Sequence, residues 1–337
     1  MSTRRQFLGA ALSSAAALTL PSAQAASAGT GARSVVPPGP GDIEIESLLP
    51  KISNWGKWGP KDQLGTLNYI TPALRLAAMA LVKRGEVVPL AREVPVAKAE
   101  GVRRQAYEMK RYVDRLPAES GSMDYIGMSV HGLALTHVDA LCHFFTPGGK
   151  QGMYNGLPID AVTLRGAEKL GVEVMGATGI VGRGVLLDIA AQKGRALPLG
   201  SAILPADLEA AEKAQGVQVG EGDILFIRSG AGTRNSVQHS TGLHASCLPW
   251  LHERRVAALS ADGDNEARPS PAGYTRWVEP IHMVAIPYLG MPLIDNAELE
   301  ALAARCAREK RWAFLVSIAP WRMKGATASP VNPLAMF

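Results

Sequence analysis

The stretch His131-Gly132-Leu133-Ala134-Leu135-Thr136-His137-Val138-Asp139-Ala140-Leu141-Cys142-His143-Phe144 holds three of the chain's seven histidines. Residues 131, 133, 135, 137 and 139 share parity. An extended backbone therefore sends the side chains of His131, His137 and Asp139 to one face. A turn over 140–144 would bring His143 back over the same spot. Neutral imidazole and carboxylate together form a donor set suited to zinc, manganese or iron(II). Taken singly, each residue has a blander explanation. A lone strand histidine is usually a hydrogen-bonded core residue, and an aspartate there can cap a turn. The clustering of a scarce residue type favours a metal or catalytic centre.

Outward from this segment, short apolar runs bounded by glycine read as strands at 183–189, 223–228, 256–261 and 313–318. Between them lie helical patterns. Residues 205–215 follow a turn and stop at Gly216. Residues 296–310 carry Leu299, Leu302 and Cys306 at helical spacing, with Asp295 and Glu298 placed as a capping box. Alternating strands and helices indicate an α/β domain.

The chain opens with Arg4-Arg5, an Ala-rich apolar run from Phe7 to Leu20, and the small-x-small site Ala23-Gln24-Ala25. That order is the pattern of a twin-arginine signal peptide over 1–25, and it implies export of a folded protein to the periplasm. The apolar run is short for a membrane span, which needs about 20 residues. Residues 26–45 are rich in Gly, Ala, Ser and Pro and read as a flexible lead-in. Residues 46–337 suffice for one large domain.

Two of the positive charges behind the formal net of +5 are Arg4 and Arg5 of the leader. The small remaining balance and the scattered Lys and Arg give no basis for a nucleic-acid partner. The cysteines are Cys142, Cys247 and Cys306, too few for a disulfide framework, and no bridge is expected. No G-x-S-x-G elbow is present, which argues against a serine hydrolase. Cys142 reads as a small packed residue.

The segment Thr136-His137-Val138-Asp139-Ala140-Leu141-Cys142-His143-Phe144 resembles the motif G-T-H-x-D-A-P-x-H-F of the cyclase superfamily, which includes bacterial kynurenine formamidase and isatin hydrolase. Further resemblances follow in the family's order. They are Gly222-Asp223 through Gly230, Gly242-Leu243 with Trp250-Leu251, Asp262 after an apolar run, Pro292 through Leu299, and Lys324 through Val331. Trp58 through Asn68 is similar to the N-terminal element of a longer-chain subgroup.

The resemblance implies a single swivelling β/β/α domain with a mixed sheet and flanking helices, and a homodimer or homotetramer. It makes His137, Asp139 and His282 ligands of a divalent metal, Zn or Mn, and His143 the acid and base. Asp295 stands near the family's late metal-binding glutamate, one residue further from His282 than the pattern has it. A helix cap is the alternative role. The family places another histidine ligand where this chain has Leu133. His131 shares that face and could substitute, but two strand residues displace it by roughly 6–7 Å.

The expected chemistry is attack by metal-activated water on an amide, formamide or lactam carbonyl, with His143 passing the proton to the leaving nitrogen. Trp55 and Trp58 either line an apolar pocket for an aromatic substrate or pack in the core. Lactone hydrolysis, a dehydrating cyclisation, or a non-catalytic periplasmic binding protein are the competing readings, the last motivated by Leu133.

Overall fold

A computed structural model describes residues 38–94, 106–116, 119–149, 151–270 and 273–337, with side chains from 106 to 120 outside the description. The twin-arginine segment lies outside the described residues.

Nine strands make one sheet: β1 (Val87–Pro89), β2 (His137–Asp139), β3 (Ile180–Asp188), β4 (Ile224–Arg228), β5 (Ala258–Ala261), β6 (Leu293–Asp295), β7 (Ala313–Ile318), β8 (Ala328–Pro330) and β9 (Leu334–Met336). Their spatial order is β1-β9-β7-β3-β4-β5-β6-β2-β8. The centre, β3-β4-β5-β6, is parallel, and every other pairing is antiparallel. The sheet is therefore mixed, with helices packed around it. Ala258–Ala261 is buried at every residue and Ile224–Arg228 at all but the last, as parallel strands covered on both faces require. A separate two-stranded ribbon, Ala106–Leu116 with Glu119–Gly127, pairs only with itself.

The strand expectations at 183–189, 223–228, 256–261 and 313–318 meet β3, β4, β5 and β7, and the last matches end to end. The helix Pro205–Gln215 also stands at its expected bounds. Proline opens it, Asp207 Oδ2 accepts from Leu204 N at 3.0 Å, and Gly216 ends it at φ 62°.

The last residues of the expected lead-in, from Pro40 on, are helical. A helix runs Pro40–Ile52 and buries Ile45 and Ile52 in the core. Pro40 is pre-organised for the first helical position, so the proline that read as a linker residue starts the helix instead. Asp42 locks this helix to a distant loop. Its carboxylate accepts from Gly39 N at 2.9 Å, Thr275 N at 3.0 Å and Arg276 N at 3.1 Å.

The late helix also differs from expectation. It spans Glu300–Glu309 and not 296–310. Asp295 closes strand β6, and Asn296 follows in a left-handed conformation at φ 59°. A residue in that conformation breaks a helical run, and asparagine tolerates it. Glu298 accepts from Glu300 N at 3.1 Å without Asp295 taking part.

Cys142, Cys247 and Cys306 are buried and unbonded. Among the described residues no helix is long and apolar enough to cross a membrane.

Candidate metal centre

Strand pairing brings the first residues together. Asp295 lies opposite His137, and Ile294 opposite Val138, in the antiparallel pair of β6 with β2. Directly opposed residues project on the same face. Asp295 Oδ2 therefore comes within 3.7 Å of His137 Nε2. Asp139, two residues along β2, shares that face, and its Oδ1 is 3.6 Å from His137 Nε2. His282 arrives from the short helix Pro280–Val284. Its Nε2 is 3.6 Å from Asp139 Oδ2 and 3.5 Å from Asp295 Oδ2.

A turn after β2 begins with His143 N donating to Ala140 O at 2.9 Å. It returns His143 Nε2 to 3.8 Å from Asp139 Oδ2. The fold-back expected of 140–144 is thus present. Phe144 packs edge-on against the His143 ring and also touches the His282 ring.

His131 reaches the site by a route the parity argument did not foresee. Residues 131–136 form a bend, and only His137–Asp139 is strand. The expected displacement of two strand residues does not arise. His131 Nδ1 stands 3.1 Å from Asp139 Oδ1, and the ring stacks on His143 with centroids 3.7 Å apart. Leu133 lines the same cavity with an apolar side chain.

The rings are held from behind. The Nδ1–H of His137 is placed to donate to Leu135 O at 2.9 Å, which leaves Nε2 free to face the cluster. His282 is held twice by Glu266 Oε1, at 2.7 Å from the backbone N and 3.1 Å from Nδ1. His131 Nε2 pairs with Thr327 Oγ1 at 3.0 Å. Asn265 Nδ2 donates to Asp295 Oδ1 at 2.7 Å. Backing of this kind fixes ring orientation and raises ligand basicity.

Asp139 has no such satisfaction. It is 1% exposed, and neither carboxylate oxygen has a hydrogen-bond donor among the described residues. The close approach of His131 Nδ1 lacks hydrogen-bond geometry, and that nitrogen too is buried without a partner. Burial alone would push the Asp139 carboxyl up, but the imidazoles of His143, His131, His137 and His282 outweigh it and hold it well below the usual range. A buried carboxylate left bare costs several kcal/mol. Imidazole nitrogens within 3.8 Å of Asp139, with the Asp295 carboxylate beside His137 and His282, form the kind of donor set a divalent cation requires. Two candidate ligand groups share Asp139. One adds His131 and His143, and the other adds His137 and Asp295.

Burial pushes the His143 ring down to about 4 against the opposing pull of Asp139, so it is neutral at pH 7. The cavity above the cluster holds about 180 Å³ and is bounded further out by Asp264, Arg268 and Glu279. Arg268 pairs with Asp264 and, at 2.5 Å, with Glu279.

Trp55 and Trp58 do not line this cavity. Trp55 stacks on Tyr288 and donates Nε1 to Pro287 O, and Trp58 packs edge-on against Tyr69. Trp55 also lines a separate pocket with Leu49, Gln151 and Tyr288, away from the cluster. Glu266, Asn265, Asn296 and Arg92 support the site and were missed in the sequence. The run Asp262-Gly263-Asp264-Asn265-Glu266 directly after an apolar strand was the available signal for the first two.

The fold and this cluster define an α/β protein with a buried His/Asp centre at the carboxyl ends of its parallel strands, where such sheets bind their ligands. The chain belongs to the cyclase family, whose profile, described as "Putative cyclase", matches residues 63–265. A crystal structure described as that of a novel cyclase is 31% identical, with a TM-score of 0.75, covering 85% of this chain and 100% of its own. Isatin hydrolase A from Labrenzia aggregata, bound to benzyl benzoate, is 19% identical, with a TM-score of 0.52 over 80% of this chain and 98% of its own. An isatin hydrolase bound to the product analogue thioisatinate is 15% identical, with a TM-score of 0.51 over 79% and 98%. These last two likenesses concern the fold. No curated protein sequence matches the chain significantly.

Proposed function

We propose that this protein is a metal-dependent hydrolase that uses water to open an amide, formamide or lactam carbonyl of a small substrate. The observation that carries the reading is Asp139, a fully buried carboxylate with two bare oxygens surrounded by imidazole nitrogens. His137, Asp139, His282 and Asp295 would hold the cation, with His131 taking the role that Leu133 cannot. The mixed nitrogen and oxygen donor set suits Zn or Mn.

When bound, such a cation supplies the Lewis acidity that makes water nucleophilic near neutral pH and polarises a carbonyl. His143, neutral at pH 7, accepts the proton of the attacking water at Nε2 and returns it to the leaving nitrogen. Stacking on His131 and contact with Phe144 keep its ring aimed at the cluster. Phe144 and Leu133 give the cavity an apolar wall. The cavity of about 180 Å³ has room for a small molecule. Arylformamides and lactams of single aromatic rings are therefore the first compounds to test, with lactones as the competing class on the same residues.

The test is direct. Purified protein is assayed for bound metal by elemental analysis, then for turnover against matched amides, lactams and lactones. Stoichiometric Zn or Mn with amide cleavage supports the proposal. Absence of metal after metal-supplemented expression would favour a binding protein instead.

The Arg4-Arg5 leader supports export by the twin-arginine route to the periplasm, where the working form would be a homodimer or homotetramer. Fractionation and light scattering test these two points.

A further inference from the structure

The bend 131–136 is held by two side chains that touch neither the cluster nor its cavity. Asn296 Nδ2 donates to Gly132 O at 2.8 Å and to Leu135 O at 3.1 Å. Arg92 Nη1 donates to Leu133 O at 2.6 Å, while its Nη2 is anchored on Asp262 O at 2.7 Å. Thr136 Oγ1 closes the ring of contacts, accepting from Arg92 N at 2.9 Å and donating to Asn296 O at 2.6 Å. Three consecutive or near-consecutive carbonyls are thus tied from outside the loop. An extended strand over the same residues would have spent them on a neighbouring strand, and eight residues of strand rise would have carried His131 roughly 26 Å from Asp139.

We infer that Asn296 is a positioning residue that locks the 131–136 bend and, through it, sets His131 beside Asp139. The inference rests on the metal-centre reading above. Asn296 is suited to the role by its place in the chain. It directly follows Asp295, and its left-handed backbone at φ 59° turns the side chain back toward β2. Its own N donates to Gly263 O at 2.7 Å, so the residue also ties the end of β6 to the loop that leads to Glu266. One residue thereby couples both sides of the cluster. The device explains how a chain with leucine at position 133 still presents an imidazole from this loop.

Asn296→Gly is the informative variant, because glycine keeps the left-handed backbone while deleting the amide. Cobalt(II) dissociation constants are measured by chelator competition, with visible absorption as a second readout, for wild type, Asn296→Gly, His131→Ala and the double variant. Asn296→Gly is expected to weaken cobalt binding about tenfold to hundredfold and to shift the absorption band. Because Asn296 holds the bend that carries His131, and also the Leu135 carbonyl that orients His137, the double variant is expected to lose less affinity than the two single losses multiplied together. Wild-type affinity in Asn296→Gly, or losses that multiply in the double variant, overturns the inference while leaving the metal centre standing. A wild-type protein that binds no cobalt overturns the metal reading and this inference together. Should Asn296→Gly not fold, Asn296→Ser leaves a single hydroxyl donor where the amide reaches two carbonyls, and the same outcomes decide.

Discussion

Asp295 stands directly across the β6–β2 ladder from His137, and its Oδ2 lies 3.7 Å from His137 Nε2. The sheet register itself thus joins a late carboxylate to a mid-chain imidazole. Asp295→Ala is expected to reduce metal affinity by about tenfold or more, with the fold retained, since the strand pairing uses backbone groups. Metal content by elemental analysis and the melting temperature of the chelator-treated protein decide this. Unchanged metal content would remove Asp295 from the ligand set.

His143 brings its Nε2 to 3.8 Å from Asp139 Oδ2 while its backbone N is held by Ala140 O. His143→Ala should lower kcat by about 10²–10⁴-fold while metal content stays close to stoichiometric. A variant that turns over normally refutes the acid/base role. A variant that loses its metal makes His143 a ligand.

Glu266 is fully buried and grips His282 at both backbone and ring. Glu266→Gln keeps the shape and an acceptor oxygen but removes the charge behind the imidazole. Metal affinity is expected to fall about 10–100-fold, with a smaller change in the metal-free melting temperature. Equal metal affinity in the two proteins would show that the carboxylate serves folding alone.

Asp42 supplies a pH-dependent test remote from the site. Burial would raise its carboxyl, but the hydrogen bonds from Thr275, Gly39 and Arg276 outweigh it and lower it from 3.8 to about 2. A folded pKa below the unfolded one adds stability above the unfolded value, and that stability is lost as pH falls through the folded value. The contribution is roughly 2 kcal/mol, present at pH 5 and above and fading between about pH 4 and 2. In urea titrations of chelator-treated protein, Asp42→Asn should therefore be less stable than wild type at pH 7, and the gap should narrow toward pH 2. A gap constant with pH would mean that the ionised carboxylate is not what holds the helix to the 275–277 loop.

Much of the architecture was legible because it depends on local pattern. Runs such as Ala313–Ile318 and the helix Pro205–Gln215 carry their own start and stop residues within a few positions. The reading failed where a residue serves a distant partner. Asn296 and Asp295 sit where a helix start would be expected, but cross-strand pairing and a left-handed turn claim them first. The bend at 131–136 was invisible because its alternation of apolar residues fits a strand, and the carbonyl contacts that break the strand come from Arg92 and Asn296. Trp55 and Trp58 gave no local sign of their partners, which are Tyr288 and Tyr69.

The amino-acid order alone determined which groups were available and that His137, Asp139 and His143 would meet, since period-2 alternation and one turn act over a handful of residues. Only the tertiary structure decided that His131, His282 and Asp295 join them and that Glu266 stands behind. Those residues lie up to 164 positions apart, as Asn296 and Gly132 do, and no short-range rule spans that gap. Sheet register and buried hydrogen bonds supply the convergence, because both act between residues far apart in the chain.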